Sequence, residues 1–82
     1  MENQYGETPR ETLRPGSKGQ QVIWVQWLLS LPDILDANLA MDGSYGPKTT
    51  EAVKKFQKKY GLVVDGIFGP KSLAKLLKVA ES

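Results

Sequence analysis

Between Val22 and Leu31 the chain is apolar almost all round a helix: Val22, Val25 and Leu29 share one face with Gln26 beside them, while Trp24, Trp27, Leu28 and Leu31 form a second stripe. A helix of that kind needs cover on two sides. Ser17 and Gln20 have the spacing of a capping box, which predicts a start near Ser17, and Pro32 forbids continuation beyond about Leu31. After Pro47 the pattern turns amphipathic. Ala52, Val53, Phe56 and Tyr60 recur at helical spacing, Lys54, Lys55, Lys58 and Lys59 fall largely elsewhere, and Gly61 is placed to close the helix in a left-handed conformation. A shorter stripe of Leu73, Leu76, Leu77 and Ala80 follows Pro70 and runs out at Glu81-Ser82. Residues 32 to 41 contain Ile34, Leu35, Leu39 and Met41, too apolar for an open loop, and are expected to fold back on the core with one helical turn. That segment, a ligand or another protein could cover the second stripe of the first helix.

The second and third helices are introduced by the same octet. Asp42-Gly43-Ser44-Tyr45-Gly46-Pro47-Lys48-Thr49 returns 23 residues later as Asp65-Gly66-Ile67-Phe68-Gly69-Pro70-Lys71-Ser72, with five positions identical and Tyr/Phe, Thr/Ser and Ser/Ile at the others. Such a period marks a duplicated supersecondary unit. Asp-Gly signals a tight turn, Gly46 and Gly69 are candidates for backbone angles closed to other residues, and Pro47 and Pro70 suit a first helical position. The first two helices also share a frame, Val-x-x-apolar-Gln, at Val22 to Gln26 and at Val53 to Gln57. Each Gln lies beside the apolar stripe, and a half-buried amide needs partners; the glycine-rich turn is the expected one. The predicted fold is all-α, a small three-helix module with two Asp-Gly-x-aromatic-Gly-Pro-Lys loop-helix units.

Composition narrows the chemistry. The 82 residues include no His and no Cys, which removes the ordinary nucleophile-base pairs, disulfides and imidazole or thiolate zinc sites. No cofactor or metal is expected. Asp42 and Asp65 could be weighed as a glycosidase pair, but Asp before Gly is a turn former and that reading is preferred. Neither octet has the alternating oxygen ligands or terminal Glu of a calcium loop. No apolar run is long enough to span a membrane, and the polar start Met1 to Gly6 is unlike a signal peptide, so if the domain works outside a cell something other than these residues is expected to deliver it. Residues 1–12 read as a flexible tail or linker stub, 13–79 as the domain and 80–82 as a C-terminal tail.

Several ordered motifs together carry a resemblance. Leu13-Arg14-Pro15-Gly16-Ser17-Lys18-Gly19, Val22 through Gln26, Leu29, the first octet, Ala52-Val53, Phe56-Gln57, Gly61-Leu62 and Asp65-Gly66 resemble the peptidoglycan-binding domain of the three-helix type, over about residues 13 to 79. The resemblance implies a non-catalytic module that holds an attached amidase, muramidase, peptidase or phage or spore lytic enzyme on the bacterial cell wall. Peptidoglycan, through its glycan or its stem peptide, is then the partner, together with an attached catalytic domain; no nucleic acid or membrane partner is expected, and the domain is expected to act as a monomer.

The candidate ligand-binding residues are Trp24, Trp27, Asp42, Gly43, Ser44, Tyr45, Gly46 and Lys48. One tryptophan of the second stripe is expected to be buried and the other exposed for stacking. Ser44-Tyr45 carries two hydroxyls where Ile67-Phe68 carries none, so the first octet is expected to face the ligand and the second to fill the core. Lys48, near the start of its helix, could attract a stem-peptide carboxylate. Two alternatives remain open: a protein-docking or spacer module within a wall hydrolase, and teichoic-acid binding through the strip Lys54, Lys55, Lys58 and Lys59. Binding to nucleic acid is disfavoured by a formal net charge of only +2.

Overall fold

The computed structural model describes residues 2–3 and 6–81. Five elements follow one another: β1 (Glu2–Asn3), β2 (Gly6–Glu7), α1 (Gln20–Ser30), α2 (Pro47–Lys59) and α3 (Pro70–Glu81). The three helices are those the patterning predicts, and both octets end in a helix that begins at its proline, where the missing N–H costs no intrahelical bond. α2 closes as expected, with Gly61 at φ 74° and the Leu62 N–H reaching back to the Gln57 carbonyl at 2.8 Å.

Both helix faces converge on one core. Val22, Val25 and Leu29 of α1, Val53 and Phe56 of α2 and Leu76 of α3 are fully buried, with Ile34, Tyr45 and Phe68 supplied by the connections. α3 sits slightly rotated from its predicted stripe, so Val79 packs against the core and Ala80 is exposed.

What joins the two repeats is an extended segment ahead of α1. Leu13 exchanges both backbone hydrogen bonds with Phe68 of the second octet, at 3.0 and 2.8 Å, and a few residues on, Gly16 N–H meets the Tyr45 carbonyl while Tyr45 N–H meets the Ser17 carbonyl, each at 2.9 Å. Residues 13–18 therefore tie the two turns together. The same segment displaces the predicted start of α1. Ser17 Oγ accepts the Arg14 N–H at 3.0 Å instead of capping the helix, which begins at Gln20 after Gly19 and has no side-chain cap.

The second stripe of α1 is covered from within the chain. β2 lies along α1, with Gly6 and Pro9 buried and the Arg10 N–H donating to Gln21 Oε1 at 3.1 Å. Where a flexible tail or linker stub is expected over residues 1–12, residues 6–9 are buried or half-buried; Met1, Gln4 and Tyr5, and Ser82 of the predicted C-terminal tail, lie outside the described residues. Residues 31–39 fold back as anticipated, through a turn in which the Ile34, Leu35 and Asp36 N–H groups all meet the Leu31 carbonyl, and Ile34 becomes core. Met41 departs from expectation and is 46% exposed.

Candidate functional site

Each Asp-Gly turn is organised around a buried glutamine. Gln26 Nε2 donates to Asp42 Oδ1 at 3.1 Å, to the Ser44 carbonyl at 3.0 Å and to Thr49 Oγ1 at 3.1 Å, while its Oε1 accepts the Gly43 N–H at 3.0 Å. Gln57 repeats the arrangement on Asp65 Oδ1, the Ile67 carbonyl and Ser72 Oγ, at 2.9, 2.9 and 3.2 Å, with Oε1 accepting from Gly66 N–H at 3.0 Å and Asp65 N–H at 3.1 Å. The predicted partnership between glutamine and glycine-rich turn holds in both copies. In each turn the aspartate also accepts the N–H two residues on, from Ser44 and from Ile67, both at 2.9 Å. Those backbone donors first, and the glutamine amides second, hold both carboxyls below the ordinary 3.8. One oxygen of each carboxylate, Oδ1, is thereby committed to its turn.

The residues that need left-handed angles are Gly43 and Gly66, at φ 75° and 74°, and not Gly46, which is extended at φ −101°. At Gly43 a Cβ would also stand 3.2 Å from the Gly19 carbonyl, so the turn is pressed against the start of α1.

The eight candidate residues divide between surface and interior. Asp42, Ser44, Gly46 and Lys48 line one groove of about 420 Å³, walled by Leu39, Ala40 and Pro47. Gly43 is buried within the turn. Trp24, at 3% exposure, and Tyr45, at 1%, are core residues, and the Tyr45 hydroxyl donates to the Gly66 carbonyl across the repeat boundary. Burial, with the Asp65 charge nearby as a lesser cause, pushes the Tyr45 phenol well above its usual range. Tyr45 and Phe68 therefore do the same packing job, and of the hydroxyl pair in the first octet only Ser44 is exposed. Trp27 is partly buried and packs against the core. Neither tryptophan is fully exposed. The lysine strip is also modified by the fold, because Lys59 Nζ donates to the Ile34 carbonyl at 2.6 Å and lies 5.4 Å from the Tyr60 ring centroid. The apolar wall of the groove, Leu39 and Ala40, was not among the sequence candidates, although Leu39-Ala40-Met41 precedes Asp42 as Leu62-Val63-Val64 precedes Asp65.

Among the described residues no three His, Cys, Asp or Glu side chains gather where they could hold a metal ion, and no helix is long and apolar enough to cross a membrane.

Residues 18–76, which contain α1, both octets and both glutamine clasps, match the family profile of the peptidoglycan binding domain. The chain belongs to this family. It is 40% identical over 70 residues to the zinc D-Ala-D-Ala carboxypeptidase of Streptomyces albus G, covering 85% of this chain and 28% of that protein. Against the N-acetylmuramoyl-L-alanine amidase CwlL of Bacillus licheniformis the identity is 46% over 66 residues, covering 76% of this chain and 18% of that one. This chain therefore spans less than a third of the length of these two relatives. Among solved structures, the SleB N-terminal domain superposes with a TM-score of 0.79 at 32% identity, covering 88% of this chain and 96% of that domain. The peptidoglycan-binding fold is thus a unit that recurs beside different enzymes.

Proposed function

We propose that this domain is a non-catalytic anchor that binds peptidoglycan and holds an attached wall-cleaving domain against its substrate, outside the cell membrane and as a monomer. Family membership supports the reading. So do the names of its relatives, one an amidase of N-acetylmuramoyl-L-alanine and the other a D-Ala-D-Ala carboxypeptidase. The observation that carries the site is the groove beside the first octet, where the exposed Ser44 hydroxyl and Lys48 ammonium stand across an apolar wall of Leu39 and Ala40. A muropeptide offers hydroxyls, amides and carboxylates to the former and methyl groups to the latter. Asp42 shapes the turn that presents Ser44, Gly43 supplies its left-handed angle, Gly46 lines the groove, and Trp24 and Tyr45 belong to the core with Trp27 packed against it. Tethering raises the local concentration of whatever is attached, so modest affinity in the groove suffices.

Co-sedimentation with intact sacculi tests the proposal. The domain is expected to pellet with the wall at physiological salt and after teichoic acid is stripped, and Ser44→Ala combined with Lys48→Ala is expected to weaken binding about tenfold, the scale of one lost charge-assisted hydrogen bond. Binding abolished by stripping would move the interaction to Lys54, Lys55 and Lys58. No binding at all would reject the anchor in favour of a docking or spacer role.

A further inference from the structure

We infer that the second octet forms a second ligand groove, built on the frame of the first but lined for a short aliphatic peptide with a free carboxylate. The inference rests on the wall-binding reading above and extends it to a second face of the domain.

Beside the second octet lies a groove of about 460 Å³, and every residue lining the first groove has its repeat counterpart lining this one, from the clasping glutamine through Leu39/Leu62 to Thr49/Ser72. The walls are held by the same clasp, in which Gln57 donates to Asp65, Ile67 and Ser72 and accepts from the Gly66 N–H. Frame and opening are therefore duplicated together. A repeat retained only to fill the core would bury its own surface, yet Val63 is 75% exposed and Val64 50% exposed. The remaining exposed large apolar residue among those described is Met41, the repeat counterpart of Val64, so all three border an octet. Of the two exposed valines, Val63 lines the groove itself and so adds apolar surface to its wall.

The lining identifies the ligand class. Where the first groove has Ala40 and the Ser44 hydroxyl, the second has Val63 and Ile67, so a sugar loses its hydrogen-bonding partner and a methyl group gains contact. Lys71 keeps its place at the rim, and of the Asp65 carboxylate, which also lines the groove, the Oδ1 is engaged by the Ile67 N–H and the Gln57 amide. An aliphatic floor beside the exposed Lys71 ammonium, which has no ion-pair partner among the described residues, suits a small, methyl-bearing peptide end carrying a carboxylate, as an alanyl stem-peptide terminus does. With one groove for polar groups and one for a peptide end, a single domain would hold the polymer at two points.

Amide NMR titration of the whole domain tests this with three probes: a stem pentapeptide ending in D-Ala-D-Ala, its C-terminal carboxamide, and peptide-free glycan oligomers. The pentapeptide is expected to shift amides of residues 62–72, and both the carboxamide probe and Lys71→Ala to weaken that binding about fivefold, the scale of one exposed ion pair. Lys71 is exposed, so the variant is expected to keep its fold, which the dispersion of its spectrum verifies. Pentapeptide shifts confined to residues 39–49, or shifts of residues 62–72 produced by glycan instead, overturn the second groove as a peptide site. If sacculus co-sedimentation persists in that case, wall binding stands without it; if co-sedimentation is also absent, both readings fall.

Discussion

Gln57 donates to three acceptors and accepts from two backbone N–H groups while only 1% exposed, and Gln26 is equally buried. Gln57→Leu nearly conserves volume but strands the Gly66 N–H and the Ser72 hydroxyl in the interior. A loss of about 2–4 kcal/mol is expected for it and for Gln26→Leu, measured by urea unfolding, because orphaned buried donors and acceptors cost more than a hydrogen bond contributes. A loss below 1 kcal/mol would mean that water replaces the amide. The glutamine-turn partnership was legible because the Val-x-x-apolar-Gln frame occurs twice. The role of Tyr45 was not. Its hydroxyl suggested a polar surface, and only the packed fold shows that a carbonyl from the other repeat, Gly66, meets it in the core.

At the scale of elements, the least expected feature is the packing of β2 on α1. A Cβ at Gly6 would stand 2.3 Å from the Gln20 carbonyl oxygen and 2.7 Å from the Trp24 nitrogen, both main-chain atoms of a helix, and Gly6 has φ 103°. Neither obstacle can yield locally. Gly6→Ala is therefore expected to lift this strand and cost about 1–3 kcal/mol. Hydrogen exchange is the check: the Arg10 amide, bonded to Gln21 Oε1, should lose protection, while the Leu13 amide, bonded to the Phe68 carbonyl, should keep it. The polar, glycine- and proline-bearing composition of residues 1–12 concealed this packing, since Gly6 contributes no side chain to any hydrophobic pattern and acts by closeness of backbones. The capping-box spacing at Ser17 misled for a related reason. Local motifs compete with long-range pairing, and here the pairing of residues 13–18 with both octets wins.

Over the whole molecule the two turns share a dependence on pH. Asp42 and Asp65 have carboxyls held below 3.8 in the folded domain, whereas in the unfolded chain they titrate near that value. The unfolded state thus takes up protons first as the pH falls. The stabilisation from both turns is complete above about pH 5 and is lost as the pH descends through 3.8 toward the lower folded values. Thermal melts between pH 7 and pH 2.5 should show this decline, and Asp42→Asn with Asp65→Asn should flatten it while keeping the side-chain oxygens that accept the turn N–H groups. An unchanged slope in the double variant would assign the acid sensitivity to other carboxylates. The missing His matters here too, because no group of that type adds a transition near neutrality.

The amino-acid sequence by itself determined the presence of three helices, the proline starts of α2 and α3, the Gly61 stop, the duplicated turn and the glutamine that each turn requires, because all of these rest on local periodicity or on residues with unusual backbone chemistry. The family resemblance drew on the same signals. Only the tertiary structure decided which faces are covered and what each octet leaves open. A helix apolar almost all round records that it is buried but not by what, and α1 proved to be covered by residues 6–9 and 31–39 of its own chain. Likewise the grooves arise where a turn, the three residues before it and the first turn of the next helix meet, and exposure at Ser44, Val63 and Lys71 is a property of that meeting, invisible in any one segment.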